Sequence, residues 1–151
     1  MTLREFNEKY GELSKQYDAL YHRVAQRYGF SDLQHWLLYI LYSESREFTQ
    51  NELAELFGLP KQSLNSAVAR LQKLGYVTRA ACPGPGNSKT VSLTPAGREL
   101  CLHCVEPLLR AEERALDRLT AEENEQFLRL YEKHYLAIRE ELGLLLKGED
   151  A

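Results

Sequence analysis

Apolar residues recur at three- and four-residue steps through Leu3, Phe6, Tyr10, Leu13, Tyr17, Leu20, Tyr21, Val24 and Tyr28, the spacing that lines one face of a helix. The pattern predicts a long first helix closed by Gly29. Ser31 is placed to cap a second, more apolar helix carrying Trp36, Leu37, Leu38, Ile40 and Leu41. Thr49 with Glu52 is a capping-box signature for a short helix through Phe57, which Gly58, Leu59 and Pro60 end. After that three-residue turn, a helix from about Lys61 to Leu74 is expected to bury Leu64, Ala67, Val68, Leu71 and Leu74, and to stop at Gly75.

The period then changes. "YVTRAA" and "TVSLT" alternate apolar with polar as strands do, and "CPGPGNSK" between them is dense in turn formers, so a β-hairpin with a long tip is expected. Thr94, with Pro95 at the favoured first helical position, caps a fifth helix expected to run to about Leu119. Thr120 with Glu123 repeats the capping box before a last helix striped by Phe127, Leu130, Tyr131, His134, Ile138 and Leu142. Neither terminal arm can bury its stripe alone, so the first, fifth and sixth helices are expected to pack together and against a second copy of the chain.

Helix, three-residue turn, helix and hairpin make a winged helix-turn-helix, a mainly α fold with a small β-hairpin wing. The expected organisation is a single domain over 1–151, with the winged lobe at 31–94 and helical dimerisation segments at 1–28 and 95–147. With 151 residues, 44% of them hydrophobic, one core is enough to stabilise it without disulfides or metal. No run of eighteen apolar residues occurs and "MTLREFNEKY" lacks a signal pattern, so the expectation is a cytoplasmic protein with no membrane contact. Cys82, Cys101 and Cys104 show no disulfide-framework spacing, in keeping with a reducing compartment.

Charge changes the picture more than composition does. The net charge is −3, yet between Glu55 and Glu99 there are six basic residues, Lys61, Arg70, Lys73, Arg79, Lys89 and Arg98, and no acidic one. The other 13 basic and 22 acidic residues leave −9 elsewhere. An acidic body with one basic insert is the electrostatic footprint of a nucleic-acid contact. On the fourth helix, the side opposite the buried residues carries Gln62, Asn65, Ser66, Ala69 and Lys73, flanked by Lys61, Ser63 and Arg70. Gln62 and Asn65 suit bidentate bonds to adenine, Ser63 and Ser66 suit bases or phosphates, and Lys61, Arg70 and Lys73 suit phosphates.

The sequence resembles the MarR family of bacterial transcription regulators. The likeness covers nearly the whole chain, and its most specific runs are R-L-x-x-L-G-Y-V, from Arg70 to Val77, and L-T-x-x-G, from Leu93 to Gly97. It implies a homodimer that binds double-stranded DNA at a pseudo-palindromic operator, often as a repressor released by a small aromatic or phenolic effector or by an oxidant. Family wings commonly carry an acidic residue and, two positions later, an arginine that enters the minor groove. Here Gly86, Asn87, Ser88 and Lys89 stand there, which leaves Arg79 and Lys89 as phosphate contacts.

For an effector, Tyr17, Tyr21, Trp36, Tyr39 and Tyr42 lie on the first two helices, where the resemblance places a ligand pocket; a plain aromatic core is the competing reading. His22 and His35 are either further ligand contacts or histidines with no special role. In "CLHC", Cys101 and Cys104 share a helix face while His103 points about 160° away, so the three cannot ligate one ion within a regular helix. A thiol- or metal-responsive regulator using Cys101 and Cys104 stays an alternative to small buried hydrophobes. No nucleophile-base pair or glycine-rich phosphate loop is present, so neither an enzyme nor a cofactor is expected. A winged-helix protein-interaction module without DNA binding is the remaining alternative.

Overall fold

The computed structural model describes residues 1–81 and 89–148. The hairpin tip, with Cys82, Gly86, Asn87 and Ser88, lies outside them. In chain order the elements are α1 (Leu3–Arg27), α2 (Asp32–Ser43), β1 (Phe48–Thr49), α3 (Gln50–Phe57), α4 (Lys61–Lys73), β2 (Val77–Ala81), β3 (Lys89–Leu93), α5 (Pro95–Cys104), α6 (Glu106–Leu116) and α7 (Ala121–Gly148). They fall into two compact units, Met1–Pro107 and a second that starts at Leu108.

Local chemistry sets most of the boundaries. Thr2, Ser31 and Thr49 each accept the backbone N–H three residues on, while Glu5, Gln34 and Glu52 reach back to the cap N–H, closing capping boxes on α1, α2 and α3. Thr120 and Glu123 do the same where α7 begins. The turn between α3 and α4 depends on Gly58, whose φ of 59° lies in the left-handed region.

The core of the first unit joins Leu37, Leu38 and Leu41 of α2, Leu53 of α3, Leu64, Val68 and Leu71 of α4, and Val77 and Val91 of the sheet, all but sealed from solvent. Cys101, Cys104 and Val105 close it from the α5 side. Burying a side chain of this size is worth about 1.5–3 kcal/mol, so nine such residues dominate whatever the surface contributes.

Three details differ from the sequence expectation. The hairpin is part of a three-stranded antiparallel sheet of order β1-β3-β2, with Phe48 opposite Val91 and Val77 opposite Leu93; two residues of β1 are too few to show a period. Leu74, expected in the core, is 41% exposed because it follows the last turn of α4. The expected helix from Pro95 to about Leu119 breaks at Val105, with α6 beginning at Glu106. Pro107 has no N–H to give the His103 carbonyl and its ring crowds the preceding turn, whereas it fits the first turn of a new helix. The break leaves the end of α5 in need of donors, and buried His35 meets part of that need through its Nε2, 2.8 Å from the Cys104 carbonyl.

The runs Arg70 to Val77 and Leu93 to Gly97 meet in space. Thr94 Oγ1 accepts the Gly97 N–H at 2.9 Å and donates to the Gly75 carbonyl at 2.6 Å, while its own N–H donates to the Tyr76 carbonyl at 3.0 Å. Gly97 is buried so close to that Tyr76 carbonyl that any Cβ would overlap it. These contacts tie the C-terminal end of α4 to the start of α5 and so fix how α4 is presented.

In the second unit, α7 carries Phe127, Leu130, Tyr131, Tyr135, Ile138, Leu142, Leu144, Leu145 and Leu146 exposed within the single chain. Among the described residues no helix is long and apolar enough to cross a membrane.

Candidate nucleic-acid interface

Helix α4 buries Leu64, Ala67, Val68 and Leu71 against α2, α3 and β2. That packing turns Lys61, Gln62, Ser63, Asn65, Ser66, Ala69, Arg70 and Lys73 to solvent together, and every one of them is exposed. Small residues at Ser63, Ser66 and Ala69 keep the middle of the face low, so a groove edge can approach the backbone. Ser66 Oγ turns back to the Gln62 carbonyl at 3.1 Å, an arrangement common for serine inside a helix.

The electrostatics agree with an anionic partner. No acidic residue occupies the first turn of α4, and Pro60 supplies no side-chain cap, so no side chain offsets the positive end of the helix dipole. Thr94, by contrast, caps α5. Lys89 is exposed at the start of β3, opposite Ala81.

Arg79 departs from the expectation of a simple phosphate contact. Its Nη2 donates to the Asn65 main-chain carbonyl at 3.1 Å, and its Nε is buried with no partner among the described residues. The side chain therefore braces β2 against the middle of α4. Gln50, which the sequence reading passed over, donates from Nε2 to Asn65 Oδ1 at 2.6 Å. No local sequence signal marks it; only the turn at Gly58 brings the first residue of α3 beside the middle of α4.

Four of the five aromatic residues named for an effector also come together. Tyr17 and Tyr21 rings lie 5.0 Å apart with their hydroxyls 3.1 Å apart, Tyr21 stacks on Trp36 at 5.0 Å, and Trp36 meets Tyr39 edge-on at 5.2 Å. Tyr17 is exposed and the other three are half-buried. Tyr42 donates to Glu106 Oε2 at 3.1 Å. His22 Nδ1 sits 2.7 Å from Asp32 Oδ1 on the surface, whereas His35 is the buried bridge to α5.

Cys101 and Cys104 are both sealed from solvent. The Cys101 thiol is held far above its ordinary range by its hydrogen bond with Cys104 and by burial, while the same hydrogen bond pulls Cys104 down, so the two sulfurs hydrogen-bond to each other inside the core. His103 stays exposed near Glu99 at 3.9 Å, on the other side of α5 as helical geometry requires. No group of three potential ligands among the described residues is arranged to hold a metal ion.

Comparison with known proteins agrees with this geometry. Residues 28–86, which span α2, α3, α4 and β2 and stop short of β3, match the model of the MarR family. An HTH-type transcriptional repressor of Mycobacterium tuberculosis is 33% identical over 91 residues, 60% of this chain and 66% of the repressor. Over that stretch the chain carries the sequence pattern of the MarR family. The matched segment thus spans just under two thirds of that curated relative. Two solved MarR-like folds are similar over a greater length. Staphylococcus aureus MepR in complex with DNA superimposes with a TM-score of 0.70 at 18% identity, covering 88% of this chain and 97% of MepR. NadR in complex with 4-hydroxyphenylacetate gives 0.67 at 20% identity, covering 87% and 89%. These likenesses establish the winged helix-turn-helix fold of the chain.

Proposed function

We propose that the protein is a sequence-specific double-stranded DNA-binding transcription regulator, a repressor that acts as a homodimer on a pseudo-palindromic operator. The observation that carries this reading is the exposed face of α4, where Lys61, Gln62, Ser63, Asn65, Ser66, Arg70 and Lys73 lie together inside the one segment free of acidic residues. Gln62 and Asn65 supply groups for base edges, and the lysines and arginine neutralise phosphates. Lys89 extends the contact along the backbone. The wing has no basic residue at 86–88, so the account rests on the major groove.

Residues 31–94 act as the DNA-reading lobe, and 1–28 with 95–147 form the dimerisation region. Support for a dimer comes from exposed Leu13, Tyr17 and Leu20 on α1 and from the exposed stripe of α7, apolar faces of the kind that a partner surface covers. Two-fold symmetry then sets the recognition helices about 34–36 Å apart, one turn of the duplex. A small aromatic effector fits the run of Tyr17, Tyr21, Trp36 and Tyr39, and NadR, a protein of the same fold, is known with a phenolic acid bound. Such a regulator works beside the chromosome, in the cytoplasm.

Selection of bound fragments from a random DNA pool, followed by sequencing, tests the reading. Enrichment of an inverted repeat with half-site centres about 10–10.5 base pairs apart is expected. Recovery of unenriched sequence at low salt would leave a nonspecific binder, and no recovery would leave a protein-interaction module.

A further inference from the structure

Asn65 sits mid-way along the exposed face of α4 and is held at two atoms. Its Oδ1 accepts Nε2–H of Gln50 at 2.6 Å, and its carbonyl accepts Nη2–H of Arg79 at 3.1 Å. Gln50 is itself fixed, because it follows Thr49 in a closed capping box at the first turn of α3. An asparagine that reads adenine across the major groove uses both amide atoms, its oxygen for the N6 amino group and its nitrogen for N7. One lone pair of Oδ1 is taken and the amide oxygen is held toward Gln50, so the Nδ2–H donors are what Asn65 presents on the other side. A donor-only group fits a base edge of acceptors: guanine offers two, N7 and O6, while adenine would set its N6 amino group against those donors and cytosine offers only a donor.

Resting on the reading that α4 enters the major groove, we propose that Gln50 is a specificity-determining residue that acts through Asn65. It holds the Asn65 amide with its nitrogen outward, so the base opposite Asn65 is guanine rather than adenine. Gln50 is a positioning residue for base readout, and Arg79 holds the backbone of the same residue from the sheet side.

The test is random-pool selection with the full-length wild type and the Asn65→Ala, Gln50→Ala and Gln50→Glu variants, each first shown by urea unfolding to be folded. Asn65→Ala identifies the half-site position whose preference relaxes. Guanine is expected there for the wild type. Gln50→Ala frees Oδ1, and the guanine-to-adenine ratio at that position should fall about tenfold, within the range of one bidentate contact. Gln50→Glu has no donor, so its carboxylate accepts Asn65 Nδ2–H, turns Oδ1 outward and favours cytosine. That reversal is not the effect of a merely looser helix, and it carries the test even if Gln50→Ala fails to fold. Adenine in the wild type, or no change of base preference in the Gln50 variants, would overturn the inference while leaving DNA binding intact. Failure of the wild type to enrich any sequence would overturn the DNA-binding reading, and this inference with it.

Discussion

Replacing Thr94 by alanine removes one hydroxyl that serves two structural elements. Its Oγ1 caps α5 by accepting the Gly97 N–H at 2.9 Å, a cap worth on the order of 1 kcal/mol. It also donates to the Gly75 carbonyl at 2.6 Å, and a hydrogen bond of that kind contributes about 1 kcal/mol net. The two losses fall on one side chain, so Thr94→Ala should lower stability by about 2 kcal/mol. Thr94→Ser keeps the hydroxyl and ranks at least as well as a cap, so it should cost about 0.5 kcal/mol or less. Urea unfolding at matched protein concentration measures both, the concentration being fixed because a dimer gains stability from it. A loss under about 0.5 kcal/mol for alanine, or serine as damaging as alanine, would refute the junction as described.

At the neighbouring site, Gly97→Ala drives a Cβ into the Tyr76 carbonyl, and thermal unfolding should show a loss of about 3 kcal/mol, at the upper end of overpacking costs. Glu5, Glu52 and Glu123 are held below their ordinary value of 4.5 chiefly by backbone N–H donation from Thr2, Thr49 and Thr120. A folded value below the unfolded one means this stabilisation is complete above pH 4.5 and is lost as pH falls through the lower, folded value; melting curves from pH 7 to 3 should show the decline, and Glu52→Gln should remove part of it. If the aromatic run takes an effector, phenols or aromatic acids should weaken operator binding of the wild type, while Trp36→Ala and Tyr39→Ala should bind operator normally and ignore the compound in an anisotropy titration.

What the sequence made legible was local. The caps at Ser31, Thr49, Thr94 and Thr120 need only neighbours three residues away, and the exposed face of α4 follows from helical period alone. The runs Arg70 to Val77 and Leu93 to Gly97 could be recognised as motifs, but that they meet through Thr94 is a tertiary fact. The break at Val105 was visible in Pro107, yet apolar spacing continues through Val105, Leu108 and Leu109 and masked it. The pairing of Gln50 with Asn65 over 15 residues, the turn of Arg79 toward α4, and the bridge from His35 to Cys104 over 69 residues leave no periodic trace. The aromatic run was legible as composition, and only the packing of α1 on α2 made it contiguous.

The central claim is that the exposed face of α4 reads DNA, and titration of single alanine variants on selected operator and scrambled duplex at several salt concentrations tests it most directly. Gln62→Ala and Asn65→Ala should each cost about 1–3 kcal/mol on operator and much less on scrambled duplex. Lys61→Ala, Arg70→Ala, Lys73→Ala and Lys89→Ala should weaken both duplexes alike, each reducing the slope of log affinity against log salt by about 0.9. Equal losses on both duplexes at Gln62 and Asn65 would remove them from base readout, and no loss for any of the six variants would contradict the account.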